Sequence, residues 1–187
     1  MNKKIKLAVI FGGPSLEHEV SLRSAEEVIN CLDKKRYEIL PILIGKKGKW
    51  NKNLLKTNKV DLVIIAGHGT FMEDGQLQLI LEELNIPYLF SQSAASVLAM
   101  NKHKSKVIAQ KHGLTIAKSK LIKNGQKISC RKIIKELKLP IIIKPNGSGS
   151  SVGASIVHRE KDFQNGLQKA LKCGSEVLIE EFIAGRD

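Results

Sequence analysis

Apolar residues along this chain come in short β-branched runs, separated by stretches whose apolar positions recur every three or four residues. The first run, residues 5–11, ends in Gly12-Gly13-Pro14 and reads as a strand entering a turn. Leu22, Ala25, Val28, Ile29 and Leu32 share one helical face, with Ser21 as the expected N-cap. Residues 37–44 form a second predicted strand. Residues 60–66 form a third, apolar enough to be buried on both faces. Leu77, Ile80, Leu81 and Leu84 set a helix over 76–84, and 86–90 is a further short strand entered through Pro87. Strands alternating with helices predict a parallel sheet with right-handed crossovers.

From about residue 91 the texture changes. Residues 94–112 read as one continuous helix closed by Gly113. A strand at 119–122, a turn at Asn124-Gly125 and a helix at 131–137 follow. The β-branched run 141–144 is a strand, and 154–158 is its expected hairpin partner. A helix at 162–173 and a strand at 176–183 complete the pattern. The change in texture divides the chain into domains at 1–93 and 94–187.

Composition narrows the class. With 187 residues, 42% hydrophobic and 4% aromatic, the chain has the makings of an aliphatic α/β protein with one large or two small cores. No apolar run is long enough for a membrane span, and the N-terminus enters a strand without the pattern of a signal peptide. Cys31, Cys130 and Cys173 are far apart and lack metal-ligand spacing, which fits free thiols in a reducing cytoplasm. The net charge is +13, and residues 101–138 carry twelve Lys or Arg against the single acid Glu136. A nucleic-acid surface would need aromatic residues to stack bases, and that stretch has none. A solvated lysine face is therefore expected, without a nucleic-acid partner, its field assisting capture of an anionic nucleotide.

Four clusters could carry chemistry. Lys144 ends a strand and is followed by Pro145-Asn146 and the loop Gly147, Ser148, Gly149, Ser150, Ser151, Val152 and Gly153. Glycine lets backbone approach a ligand, and serine hydroxyls with free N–H groups suit a phosphate, though a flexible hairpin loop has the same composition. Gly12 to Ser21 carries Glu17 and Glu19 beyond a strand; these carboxylates could hold an ammonium or simply favour a helix dipole. In Gly67-His68-Gly69, the histidine lacks adjacent side chains to pack against, which favours ligand contact over a core role. Lys102 lies within the long predicted helix, where a surface role is the plain alternative.

In order, FGGPSLEHEVS, GHGTFMEDG, IPYLFS, LAMNKHKSK, IIIKPNGSGSSVGAS and VLIEEFIAGRD resemble the D-alanine–D-alanine ligase family of the ATP-grasp superfamily. The resemblance runs through essentially the whole chain. It implies an α/β protein: an N-terminal Rossmann-like, pre-ATP-grasp domain with a parallel sheet, then the α+β first subdomain of an ATP-grasp fold, with the C-terminal subdomain absent. It implies ATP-dependent joining of two D-alanines through an acylphosphate for peptidoglycan precursor synthesis, with Mg²⁺ or Mn²⁺, in a cytoplasmic homodimer. Ligation to D-lactate or D-serine, and a noncatalytic nucleotide-binding remnant, remain alternatives. By position, Glu17 would bind the first D-alanine's ammonium and Ser150 would orient substrate or a lid, these two being the catalytic candidates. His68 and Ser151 would also border substrate. Lys102, Lys144 and the loop from Gly147 through Ser148, Gly149, Ser150, Ser151 and Val152 to Gly153 would hold the phosphates. Glu180, Glu181, Phe182 and Ile183 would take the adenine, and Asp187 the ribose.

The chain departs from the family pattern at Met72 and Leu79, which stand in place of glycines, at Ser91-Gln92-Ser93, in place of Gly-Ser-Gly, and at Asn101, in place of an aspartate. Each lost glycine is expected to narrow the backbone options or put bulk near substrate. The sequence ends within a motif, and the family's metal ligands, catalytic arginine and lid tyrosine would follow. A polypeptide of these residues alone is accordingly expected to lack ligase activity.

Overall fold

A computed structural model of the chain describes residues 3–185. Contacts gather into two compact units, Met1–Val97 and Leu98–Asp187. In the first, strands β1 (Ile5–Gly12), β2 (Tyr37–Ile44), β3 (Leu62–Ile65) and β4 (Tyr88–Leu89) form a parallel sheet in the order β2-β1-β3-β4. Helices α1 (His18–Cys31), α2 (Asn53–Thr57) and α3 (Gln76–Glu83) connect them. Side chains alternate along β1, so Val9 packs with Ala25 and Ala66 on the α1 face, while Ala8 and Ile10 join Leu55, Leu77 and Leu81 on the other. Helices on both faces explain why β1 reads as an unbroken apolar run.

Two expectations change here, and one element is new. Ser21 is not the N-cap: α1 begins at His18, after Glu17, and Ser21 lies buried inside it. The third strand is shorter than 60–66, and its Leu62 and Ile64 are only half-buried. The short helix α2 was not foreseen, since five residues carry too little periodicity.

The second unit contains β5 (Ser119–Lys123), β6 (Ile141–Pro145), β7 (Ser155–Val157) and β8 (Glu176–Glu181), paired antiparallel in the order β5-β8-β6-β7. Helices α6 (Cys130–Leu137) and α7 (Phe163–Leu171) cover one face, burying Ile133, Leu137, Phe163 and Leu167 against Ile141, Ile143, Val177 and Ile179. The opposite face carries the alternate residues, where Ile142 pairs with Glu180 and Lys144 with Leu178. Strand alternation thus sets Lys144 and Glu180 on the sheet face away from the core. The expected continuous helix over 94–112 is two: α4 (Ser93–Met100) and α5 (Lys102–Lys111). Asn101 between them is extended, with φ −85° and ψ 95°, and its side chain caps α5 by accepting from Lys104 N. Lys102 therefore opens a helix instead of lying within one. Strand β8 ends at Glu181, before Phe182 and Ile183. No helix of the described residues is long and apolar enough to cross a membrane.

Candidate functional site

In the parallel sheet the chain passes from β1 to β2 on one side and continues through β3 to β4 on the other. Ligands favour the crevice at the carboxyl ends of the strands where the order reverses. Those ends carry the loops after β1 and β3, which contain Glu17 and His68. Gly12 N donates to Ser21 Oγ at 2.7 Å, and that hydroxyl donates to Ala66 O at 2.9 Å. A buried serine therefore ties the two loops together. Ser15 Oγ donates to His68 O at 2.7 Å and accepts from Glu17 N at 3.0 Å.

Glu17 lies against Gly69, whose φ is +70°; a Cβ there would sit 2.6 Å from Glu17 Oε2. Glycine is required both by the left-handed backbone and by the close carboxylate. Gly69 N donates to Glu73 Oε2 at 2.7 Å. His68 is half-exposed, yet its ring has partners: Nε2 is 2.8 Å from Ser24 Oγ and Nδ1 is 3.7 Å from Glu73 Oε1. Two carboxylates and an imidazole around one glycine suit a small cationic group such as an ammonium. Met72 lies against both loops: a Cβ on Gly13 would be 3.3 Å from its Cε. Its side chain is fully buried in the core and occupies the space beside Gly67, where a Cβ would lie 2.3 Å from Met72 Cγ. Leu79 is 51% exposed, so its bulk stays out of the core.

The second unit carries a cationic cluster. Glu180, 5% exposed, receives Lys106 Nζ on one carboxylate oxygen and Lys144 Nζ on the other. Burial opposes its ionisation, but hydrogen bonds and charge from the two lysines outweigh this and hold the carboxyl below its ordinary range. Lys102 Nζ donates to Ser148 O in the Gly/Ser loop. Burial, then the charge of Lys144, lowers the pKa of Lys102, with Glu180 opposing. Asn146, 2% exposed, joins the parts: its Oδ1 accepts from His103 N at 2.9 Å, and its Nδ2 donates to Asn101 Oδ1 at 3.1 Å and Glu176 Oε2 at 2.9 Å. This single side chain sets the start of α5, and hence Lys102, against the end of β6.

In the loop itself, Gly147, Ser150 and Ser151 are exposed, and Ser150 and Ser151 hold left-handed φ values of +46° and +55°. Ser148 Oγ donates to Val152 O at 3.2 Å, and Val152 N donates to Gly149 O at 3.2 Å, which curls the segment on itself. Gly153 anchors its far end, where a Cβ would meet Cys173 Sγ at 2.8 Å and Pro145 Cγ at 2.9 Å. Glu181 points elsewhere, accepting from Lys118 N at 2.7 Å, while Phe182 and Ile183 follow β8 exposed. Asp187 lies outside the described residues.

The family model "D-ala D-ala ligase N-terminus" matches residues 6–58, and "D-ala D-ala ligase C-terminus" matches 104–187. The D-alanine–D-alanine ligase of Clostridium beijerinckii is 39% identical over 181 residues, covering 97% of this chain and 59% of the relative. This chain belongs to the D-alanine–D-alanine ligase family. The D-alanine–D-alanine ligase B of Clostridium perfringens is 38% identical over 183 residues, with 98% and 59% covered. Among solved structures, D-alanine–D-alanine ligase from Bacillus anthracis complexed with ATP superposes with a TM-score of 0.84 at 32% identity, covering 97% of this chain and 60% of that one. VanG D-Ala:D-Ser ligase from Enterococcus faecalis gives 0.85 at 30% identity, with 98% and 64% covered. The chain thus spans 59% of the length of these two curated relatives and has the α/β fold of the family.

In this ligase-family chain the sequence does not mark Ser24, Glu73, Lys106 or Asn146 as site residues, and it marks Ser21 only as a helix cap. Lys106 stands four residues after Lys102, and Asn146 two after Lys144, so proximity to a marked lysine was the available signal.

Proposed function

We propose that this chain supplies amino-acid-binding and phosphate-binding groups to an ATP-dependent ligase that joins two D-alanines through an acylphosphate, in peptidoglycan precursor synthesis. The observation that carries this reading is the triad of Lys102, Lys144 and Glu180 beside a Gly/Ser loop, within a chain of this family. To form the acylphosphate, an anionic carboxylate oxygen must attack the anionic γ-phosphate of ATP and expel ADP, before the second amine attacks the acyl carbon and expels phosphate. The reaction therefore needs positive charge around the phosphates and a firm hold on the amino acid. Lys102 and Lys144, with the backbone and hydroxyls of Gly147, Ser148, Gly149, Ser150, Ser151, Val152 and Gly153, would hold the phosphates. Glu17 would grip the ammonium of the first D-alanine and His68 would border its carboxylate, with Ser150 and Ser151 orienting the substrate. Glu180, Phe182 and Ile183 would border the adenine. Glu181 fits less well, because its side chain is occupied by Lys118 N.

ATP needs Mg²⁺ or Mn²⁺ as counter-ion. Among the described residues no group of three His, Cys, Asp or Glu could hold that ion, so no step is assigned to it. A cytoplasmic homodimer without nucleic-acid partners completes the reading. A D-serine acceptor is favoured as the second possibility by the likeness to VanG; D-lactate stands behind it.

The test separates the two substrates. In the protein expressed from its own reading frame, Glu17→Gln should raise KM for D-alanine about tenfold or more, because a charge-assisted hydrogen bond contributes roughly 1.5–3 kcal/mol. Lys144→Met should instead raise KM for ATP and lower kcat. Equal effects of Glu17→Gln on both substrates would assign Glu17 to the entry of α1 instead.

A further inference from the structure

Glu180 is nearly inaccessible and takes a lysine on each oxygen. In the reading above, on which this inference rests, Lys144 turns to phosphate when ATP binds. A second cation is then needed, because a buried carboxylate that loses its partner is strongly disfavoured. We propose that Lys106 is a positioning residue for nucleotide binding: it remains on Glu180 as the standing counter-ion, which frees Lys144 for the phosphates.

The geometry separates the two lysines by role. Lys106 comes from α5, its side chain 17% exposed, and lies on Oε1; Lys144 comes from the end of β6, 28% exposed, and lies on Oε2. The more open lysine is the one next to the Gly/Ser loop. The more enclosed one sits on the helix that Asn101 and Asn146 fasten. Lys102 also acts on Glu180 by charge, but it is bonded to Ser148 O in the loop and, in the same reading, turns to the phosphates with Lys144, which leaves Lys106 on the carboxylate. Across the sheet, Ile142 and Ser119 pair with Glu180 and bring no charge. Lys106 also lines a cavity of about 340 Å³ with His103, Lys118 and Glu136; Glu136 is itself paired with Lys120 at 2.8 Å.

Removing Lys106 therefore penalises the ATP-bound state more than the free protein, in which Lys144 still covers Glu180. The protein from its own reading frame, carrying Lys106→Met, should bind a nonhydrolysable ATP analogue about tenfold or more weakly by calorimetry. Its affinity, divided by that of the wild type, should recover as the pH is lowered from 8 to 6, because protonating Glu180 replaces the missing charge. Lys106→Arg should restore binding, and in a Glu180→Gln background Lys106→Met should cost nothing further. A merely structural lysine would give a pH-independent loss that Glu180→Gln leaves unchanged, and that result would overturn the proposal. So would full affinity in Lys106→Met. Absence of analogue binding by the wild-type protein would instead overturn the ATP reading itself, and this inference with it.

Discussion

At the residue scale, small groups do the exacting work. Gly69→Ala would place a methyl 2.6 Å from Glu17 Oε2 on a backbone with φ of +70°. The expected result is displacement of Glu17, seen as a raised KM for D-alanine with little change for ATP. Ser21→Ala would leave Gly12 N and Ala66 O without their hydroxyl partner in a buried position. A loss of about 1–3 kcal/mol is expected by urea denaturation, close to the desolvation cost of unpaired buried groups. Glu180 sets a pH dependence. A carboxyl held below its ordinary 4.5 contributes stability that is fully present above that pH and is lost as pH falls through the folded-state value. Denaturation between pH 7 and 3 should therefore show a steeper loss below about pH 4.5 in the wild type than in Glu180→Gln. Parallel curves would contradict this.

At the element scale, Asn101 and Asn146 matter most. Asn101 turns one apparent helix into two and caps the second, and Asn146 binds that cap to the end of β6. Asn146→Ala is expected to lower the denaturation midpoint, reflecting about 1–3 kcal/mol, and also to raise KM for ATP, since Lys102 depends on the start of α5. A midpoint drop with unchanged KM would separate folding from positioning. This junction was not legible in the sequence. Asparagine carries no backbone signal as strong as proline or glycine, and the apolar period runs across residue 101. Strands β1, β2 and β6 were legible because β-branched runs bounded by turn residues have few other readings. Ser21 misled because a serine before apolar residues looks the same whether it caps a helix or bonds two distant loops. The space beside Met72 is decided by Gly67, on the preceding strand's exit, which no local pattern reveals. A further junction went unseen: Glu82 accepts from Tyr88 Oη at 2.6 Å and from Ser93 N at 2.9 Å, joining α3, β4 and α4. Burial and that carboxylate push the Tyr88 phenol up to about 12.

At the scale of the whole molecule, the chain carries one cluster suited to an ammonium and one suited to phosphates, each in its own compact unit. The family could be recognised from six short motifs, which also mark the lysines and carboxylates of the two clusters, whereas the counter-ions and caps around them required the folded chain. The net charge of +13 contributes attraction for any polyanion, which added salt should remove, since exposed charges are screened within about 10 Å at 0.1 M. Nucleotide binding that survives such salt belongs to the site. The most direct measurement is phosphate release from MgATP by the purified protein expressed from its own reading frame, with D-alanine or L-alanine added. D-alanine-dependent release, abolished by Lys144→Met, is the predicted result; release that is the same with L-alanine, or that survives Lys144→Met, would contradict the account.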